Sequence, residues 1–320
     1  MIRGAPPEPG PLDPLRGERI LLTGASGFIG RHVLERLLEL GVEVHATTRH
    51  REPPEDLAGR EGVVWHRCDL GDADSTLDTL GAARPRRILH LASRVSGARD
   101  PDLVLETFRD NLASTVHLLA GAERAHCARM VQVGSLEEPA GAESSEPPSS
   151  PYAAAKAAAS AYARMYHRLW KTQVTLARVF MVYGPGRQDE RKLVPYVIRS
   201  LLDGRNPRLS SGTRPIDWVY VGDVVEGLLR LLIADGVTGR TVDLGRGELL
   251  TVREVVEAIY ARLRPRGTPH FGDLEDRQAE QVRKAAVDAT RELLDWAPPT
   301  EIGEGLDATI AWFRDHPRPD

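Results

Sequence analysis

The sequence predicts an α/β fold, a doubly wound parallel sheet with a smaller mixed lobe, and three observations carry that expectation. Apolar, strand-like runs alternate with helical patterns through the first 133 residues. A glycine-rich turn joins the first run to the first helical pattern. Beyond Tyr183 the alternation loosens, with Pro and Gly punctuation at 184–186, 206–215 and 264–272.

Residues 1–16 hold five prolines and little apolar material, so they read as a flexible tail, with ordered chain from about Gly17. Strand-like runs follow at 19–23, 43–47, 63–68, 87–92 and 130–133. Between the first two, Ile29, Val33, Leu37 and Leu40 recur at helical spacing and make one buried face, and Gly41 supplies a stop. Helices are also expected at 103–120 and 153–169, the second rich in alanine and therefore able to pack closely. A Ser-, Glu- and Pro-rich loop at 139–151 precedes it.

A chain of 320 residues with 41% hydrophobic and 28% charged residues can bury a sizeable core. No apolar run approaches the roughly 18 residues of a membrane span, and mean hydropathy is -0.32. A net charge of -4 with no basic stripe argues against a nucleic-acid partner. Cys68 and Cys127 stand alone, without paired spacing. They read as buried free thiols of a reducing cytoplasm, and no metal site is expected.

Thr23-Gly24-Ala25-Ser26-Gly27-Phe28-Ile29-Gly30 follows an apolar strand and opens an amphipathic helix. That context suits a dinucleotide: Gly24 for the tight turn, Gly27 for close approach of a diphosphate to the helix N-terminus, Gly30 for packing of helix on sheet. At the end of the second strand, Thr48 stands where an NAD site usually offers a carboxylate, and Arg49 follows. A guanidinium there suits a 2'-phosphate, so NADP(H) is expected over NAD(H), unless Arg49 and Arg51 are merely solvated.

Tyr152 and Lys156 lie one helical turn apart, and Ser135 ends the strand-like run at 130–133. A phenol is a poor acid-base group at neutral pH unless a cation such as Lys156 lowers its pKa, and a hydroxyl at a strand end can bond a reacting oxygen.

With the Gly-x-x-Gly-x-x-Gly turn, these residues make the chain after Gly17 similar to the extended short-chain dehydrogenase/reductase family. The resemblance implies a Rossmann fold and a Ser135–Tyr152–Lys156 triad, with Lys156 also holding the nicotinamide ribose. It implies cofactor contacts from Gly24, Ser26, Gly27, Phe28, Ile29, Gly30, Asp69, Leu70, Leu91 and Ala92. Asp69 could instead cap a turn, and His90 could be a satisfied core histidine. Asn111 would support the site's hydrogen bonds or satisfy nearby backbone. The dinucleotide-binding part is expected at 17–178 with 216–245, and the substrate-binding lobe at 179–215 with 246–320.

The stretches Arg178-Val179-Phe180-Met181-Val182-Tyr183-Gly184-Pro185-Gly186 and Asp217-Trp218-Val219-Tyr220-Val221-Gly222-Asp223-Val224 resemble those bracketing the family's nucleotide-sugar site. Two departures stand out: Met181 replaces an Asn, and Ile216 replaces a diphosphate-binding Arg. Arg214 and Arg277 are candidate substitutes, or solvated charges. Leu136 replaces the acid of the resembling 4,6-dehydratases, while Glu137 keeps their base position and could bind a sugar hydroxyl or settle a loop.

The expected activity is therefore reduction of a nucleotide-linked 4-keto-6-deoxysugar by a homodimer. A nucleotide-sugar 4-epimerase retaining NAD is the alternative. A non-catalytic dinucleotide sensor would lose Tyr or Lys from the triad, and both are present.

Overall fold

The computed structural model describes residues 10–139, 147–276 and 281–318. In chain order the strands are β1 (Arg19–Thr23), β2 (Glu43–Thr48), β3 (Val63–Arg67), β4 (Arg87–His90), β5 (Arg129–Ser135), β6 (Val174–Val179), β7 (Met181–Tyr183), β8 (Pro215–Tyr220), β9 (Thr241–Leu244) and β10 (Leu249–Thr251). The helices are α1 (Phe28–Glu39), α2 (Ala73–Ala83), α3 (Leu103–Thr107), α4 (Ser114–Arg124), α5 (Pro151–Trp170), α6 (Leu193–Leu202), α7 (Val221–Ile233), α8 (Val252–Leu263), α9 (Val287–Leu294) and α10 (Ile302–Asp315).

Seven strands form a parallel sheet in the order β3-β2-β1-β4-β5-β6-β9. Its central strands read as unbroken apolar runs because helices cover both faces: Ile20, Leu21 and Leu22 of β1 are fully buried. On one face α1 and α7 pack together, burying Val33, Leu34 and Leu37 against Leu228 and Leu231. The other face carries α2, α4 and α5, which pack on one another over Leu21, Ile88 and Met130. Strand order reverses between β1 and β4, so their C-terminal ends flank the crevice where such sheets take their ligands. A second core lies between the small sheet, β10-β8-β7, and α6, α8 and α10, around Trp218, Ile259, Leu306 and Phe313.

Three sequence expectations move. Leu12 and Leu15 are buried in the main core, with Asp13–Leu15 a 3-10 turn, so packed chain begins before Gly17. Strand β8 pairs with β7 and β10 in the small sheet, and the chain returns to the large one with the following helix, α7, and β9. The expected helix at 103–120 is not uniform: between α3 and α4 the residues Phe108–Ala113 form a π-helical turn. That wider turn carries Asn111, as such bulges often do at functional sites.

Candidate active site

The glycine turn closes where β1 meets α1. Gly24 has φ +74°, and a Cβ there would stand 2.6 Å from the Ala92 nitrogen. A Cβ on Gly30 would collide with the Gly24 carbonyl. Both positions therefore demand glycine, and the backbone curls tightly enough for a diphosphate to reach the α1 N-terminus, where Gly27 is the N-cap. Ser26 and Phe28 border this opening, and Ile29 packs on the core.

Across the crevice, the Ala92 N–H donates to Thr23 Oγ1 at 3.1 Å, and that hydroxyl lies 2.6 Å from His90 Nδ1. Burial, then the Lys156 charge, brings His90 down to about 3, so the ring is neutral while its Nδ1 shares a hydrogen bond with Thr23. His90 is a satisfied core histidine tying β1 to β4. Asn111, also buried, accepts from the Arg94 N–H at 2.7 Å and donates to the Arg94 carbonyl at 3.0 Å, strapping the loop that carries Leu91 and Ala92.

At the other end, the Asp69 carboxylate accepts the Gly71 N–H at 3.0 Å and pairs with Arg109. It caps its turn and presents one charged edge beside the buried Leu70. Arg49, which follows β2, pairs with Asp110 at 3.1 Å.

Ser135 ends β5, and Tyr152 and Lys156 lie on the buried face of α5, whose start is fixed by the Ser150 side chain accepting the Ala153 N–H and by Pro151 at N1. Ser135 Oγ accepts the Glu137 N–H at 3.2 Å, and the Ser135 side chain favours the ionised form of the Tyr152 phenol. The Lys156 ammonium donates to the Val133 carbonyl at 2.8 Å and stands 5.9 Å from the centroid of the Tyr152 ring. Burial brings Lys156 down to about 8, against the opposing pull of Glu138. Burial also pushes Tyr152 above its ordinary range; the Ser135 bond opposes this and the Glu137 and Glu138 charges add to it. The Lys156 ammonium is turned to the Val133 carbonyl, and the group that opposes burial at the phenol is Ser135.

Leu136 is buried and its N–H bonds the Val179 carbonyl, and the partly buried Glu137 follows it. Arg214 donates to the Gln281 carbonyl at 3.0 Å, and Arg277 lies outside the described residues. Asp217 accepts the N–H groups of Arg246, Gly247 and Ala285, and Asp223 accepts from both the N–H and hydroxyl of Thr300. These two acidic residues of the second quoted stretch thus build the lobe's frame.

Sequence reasoning missed two charged groups near the triad. Glu138 is buried, accepting the Ser135 N–H at 2.8 Å. Arg283 has a buried Nη1 without a hydrogen-bond partner among the described residues; its pKa is lowered by burial and Arg178 and raised by Asp243 and Glu138. The only advance signal for Glu138 was a second acidic residue straight after the strand end.

Residues 20–245 match the family model described as the NAD dependent epimerase/dehydratase family. The chain is 32% identical to a dTDP-glucose 4,6-dehydratase of Streptomyces griseus, covering 93% of this chain and 94% of that one. To a UDP-glucose 4-epimerase of Mycolicibacterium smegmatis it is 30% identical, covering 92% and 98%. A solved UDP-glucose 4-epimerase of Thermus thermophilus, in complex with NAD, superposes with a TM-score of 0.79 at 27% identity, covering 93% and 99%. These matches overturn the expected preference for NADP(H): the family model is NAD dependent and the solved relative holds NAD. The physical reason lies in the Asp110 carboxylate, which engages the guanidinium that had suggested a 2'-phosphate site. On its fold, its glycine turn, its triad and this match, the chain belongs to the NAD-dependent epimerase/dehydratase family, within the extended short-chain dehydrogenases/reductases.

Proposed function

We propose that the protein moves a hydride between NAD and C4 of a nucleotide-linked hexose, without eliminating water. The observation that carries the reading is the joint burial of Ser135, at a strand end of the parallel sheet, with Tyr152 and Lys156, one helical turn apart on α5.

The glycine turn, where a Cβ at Gly24 or Gly30 would strike neighbouring backbone, fits a dinucleotide diphosphate. Gly24, Ser26, Gly27, Phe28, Ile29 and Gly30 would hold it, Asp69 and Leu70 the adenine end, Leu91 and Ala92 the inner wall, and Tyr152 and Lys156 the nicotinamide ribose. When bound, the nicotinamide supplies the hydride acceptor or donor. Tyr152 gives its proton to the developing alkoxide in reduction and takes one from the hydroxyl in oxidation. Ser135 donates to the same oxygen, which matters only as charge develops there. Arg214 and Arg277 would meet the diphosphate of the sugar nucleotide, and Glu137 a sugar hydroxyl.

A protonated Tyr152 can serve reduction of a 4-keto-6-deoxysugar, a step of deoxysugar biosynthesis, and that is the first reading. The second reading, a 4-epimerase that keeps its NAD, is favoured by the relative of that description at 30% identity. Elimination is disfavoured because Leu136 occupies the acid position of the resembling dehydratases, and a leucine donates no proton. Losing a positioned acid costs about 10² to 10⁴ in rate.

Incubation with NADH and a panel of dTDP- and GDP-4-keto-6-deoxysugars should consume reduced cofactor. Incubation with UDP- and dTDP-glucose and NAD, read by chromatography, detects the C4 epimer. Efficient formation of an alkali-absorbing 4-keto product from dTDP-glucose would overturn the assignment.

A homodimer in the cytoplasm completes the reading. Leu105 on α3, Phe108 on the π-helical turn, and Tyr162, Leu169 and Trp170 on α5 are exposed on elements that pack side by side, an apolar face that a second copy would cover. No helix among the described residues is long and apolar enough to cross a membrane.

A further inference from the structure

Glu138 belongs to no part of the reaction described above, yet its carboxylate is buried against the catalytic strand end. The chain turns back after β5, the Glu138 N–H bonding the Ser135 carbonyl, and the side chain folds under Gly134. A Cβ at Gly134 would collide with Glu138 Oε1, so the glycine makes the space that the carboxylate fills. On this face of β5, Lys156 Nζ donates to the Val133 carbonyl at 2.8 Å and Glu138 Oε1 accepts the Ser135 N–H at 2.8 Å. Anion and cation therefore bracket Gly134, on neighbouring peptide units of one strand.

We propose that Glu138 is a positioning residue for the hydride-transfer site: its buried carboxylate fixes the Ser135 backbone and serves as the counter-charge that keeps Lys156 protonated. This rests on the hydride-transfer reading above. Burial alone costs an ammonium its charge, and an opposite charge nearby restores it. The groups facing Lys156 are Glu138 from the turn after β5, the neutral His90 from β4, and Tyr152 on α5 itself. Those facing Glu138 are Lys156, Tyr152 and, from the segment before α9, Arg283. Glu138 also raises Tyr152, so one carboxylate acts on both partners: it holds the lysine charged and the phenol protonated.

The test is Glu138→Gln, whose amide oxygen still accepts the Ser135 N–H while the charge is gone. The alkaline limb of kcat/KM, where Lys156 loses its proton, should fall by about one pH unit or more in the variant, as loss of a close opposite charge implies. Glu138→Asp, which keeps the charge, should return the limb toward its original place even where kcat stays low. An unchanged limb in a folded Glu138→Gln overturns the proposal. A second readout needs no activity. The thermal stability lost in Glu138→Gln should be large at pH 6.5, where Lys156 is charged, and smaller at pH 9.5, above its value of about 8. An equal loss at both pH values marks a packing role alone and overturns the counter-charge. An inactive wild-type enzyme with the expected stability difference would instead count against the hydride-transfer reading only.

Discussion

Asp110 holds Arg49 with both carboxylate oxygens, at 3.1 and 3.2 Å from one guanidinium nitrogen. The same carboxylate takes Arg94 Nε at 3.1 Å and lies 3.5 Å from Arg109 Nη1, so it stands among three cations. Arg49 is thus committed to Asp110 at the end of β2. We expect NAD to be used with at least about tenfold higher kcat/KM than NADP, and Asp110→Asn to narrow that ratio by freeing a fork suited to phosphate. Comparing the two cofactors in both proteins checks it; equal use by the unaltered chain refutes it.

Tyr152→Phe keeps the ring and removes the transferable proton. Turnover should fall about a hundredfold or more, while NAD affinity, read by calorimetry, stays within a few-fold. Near-normal turnover in a folded variant would assign the proton to another group.

The glycine turn was legible because its constraint is local: Gly24 and Gly30 sit within one turn of chain and meet each other's backbone. The parallel sheet was legible for a similar reason, since strands buried on both faces read as apolar runs. Lobe membership of β8 was not, because a six-residue strand looks the same whichever sheet it joins. The π-helical turn also escaped notice: Leu103 to Ala120 carries a helical pattern, and one residue of slippage at Asn111 leaves the periodicity nearly intact. Glu138 and Arg283 were invisible because their burial depends on a turn folding back and on a segment almost 150 residues away.

Gly30→Ala should destabilise the fold by about 1–3 kcal/mol, the usual range for overpacking, because the new methyl meets the Gly24 carbonyl and backbone cannot step aside as a side chain could. Urea unfolding would measure it, and NAD affinity should fall with it. Full stability and affinity would show that the turn relaxes freely.

His90 sets an acid limit. Its folded value of about 3 lies below the ordinary 6.5, so between these the unfolded chain binds the extra proton. Stability therefore rises with pH across that window and is lost as pH falls through it. His90→Gln, which removes the titration and retains an acceptor for Thr23, should flatten the dependence of melting temperature on pH between 6.5 and 4. An unchanged slope would place the acid sensitivity elsewhere.

If the proposed homodimer forms, Phe108→Glu or Leu105→Glu should convert it to a monomer by light scattering, since each puts a charge on the exposed apolar face. A monomeric unaltered protein would remove the dimer from the reading.

The three N–H groups that Asp217 accepts come from residues 29, 30 and 68 positions further along the chain. During synthesis the strand bearing this carboxylate leaves the ribosome well before Ala285 does, and burying it early would leave an anion short of partners. We expect the small sheet to stay open to water until nearly nine-tenths of the chain has been made, when the seven-stranded sheet lacks only α9 on its last strand. Order of emergence would thereby make the second lobe the later of the two to close, and a ribosome stall before that point should yield a protease-resistant first lobe with a soft, digestible partner.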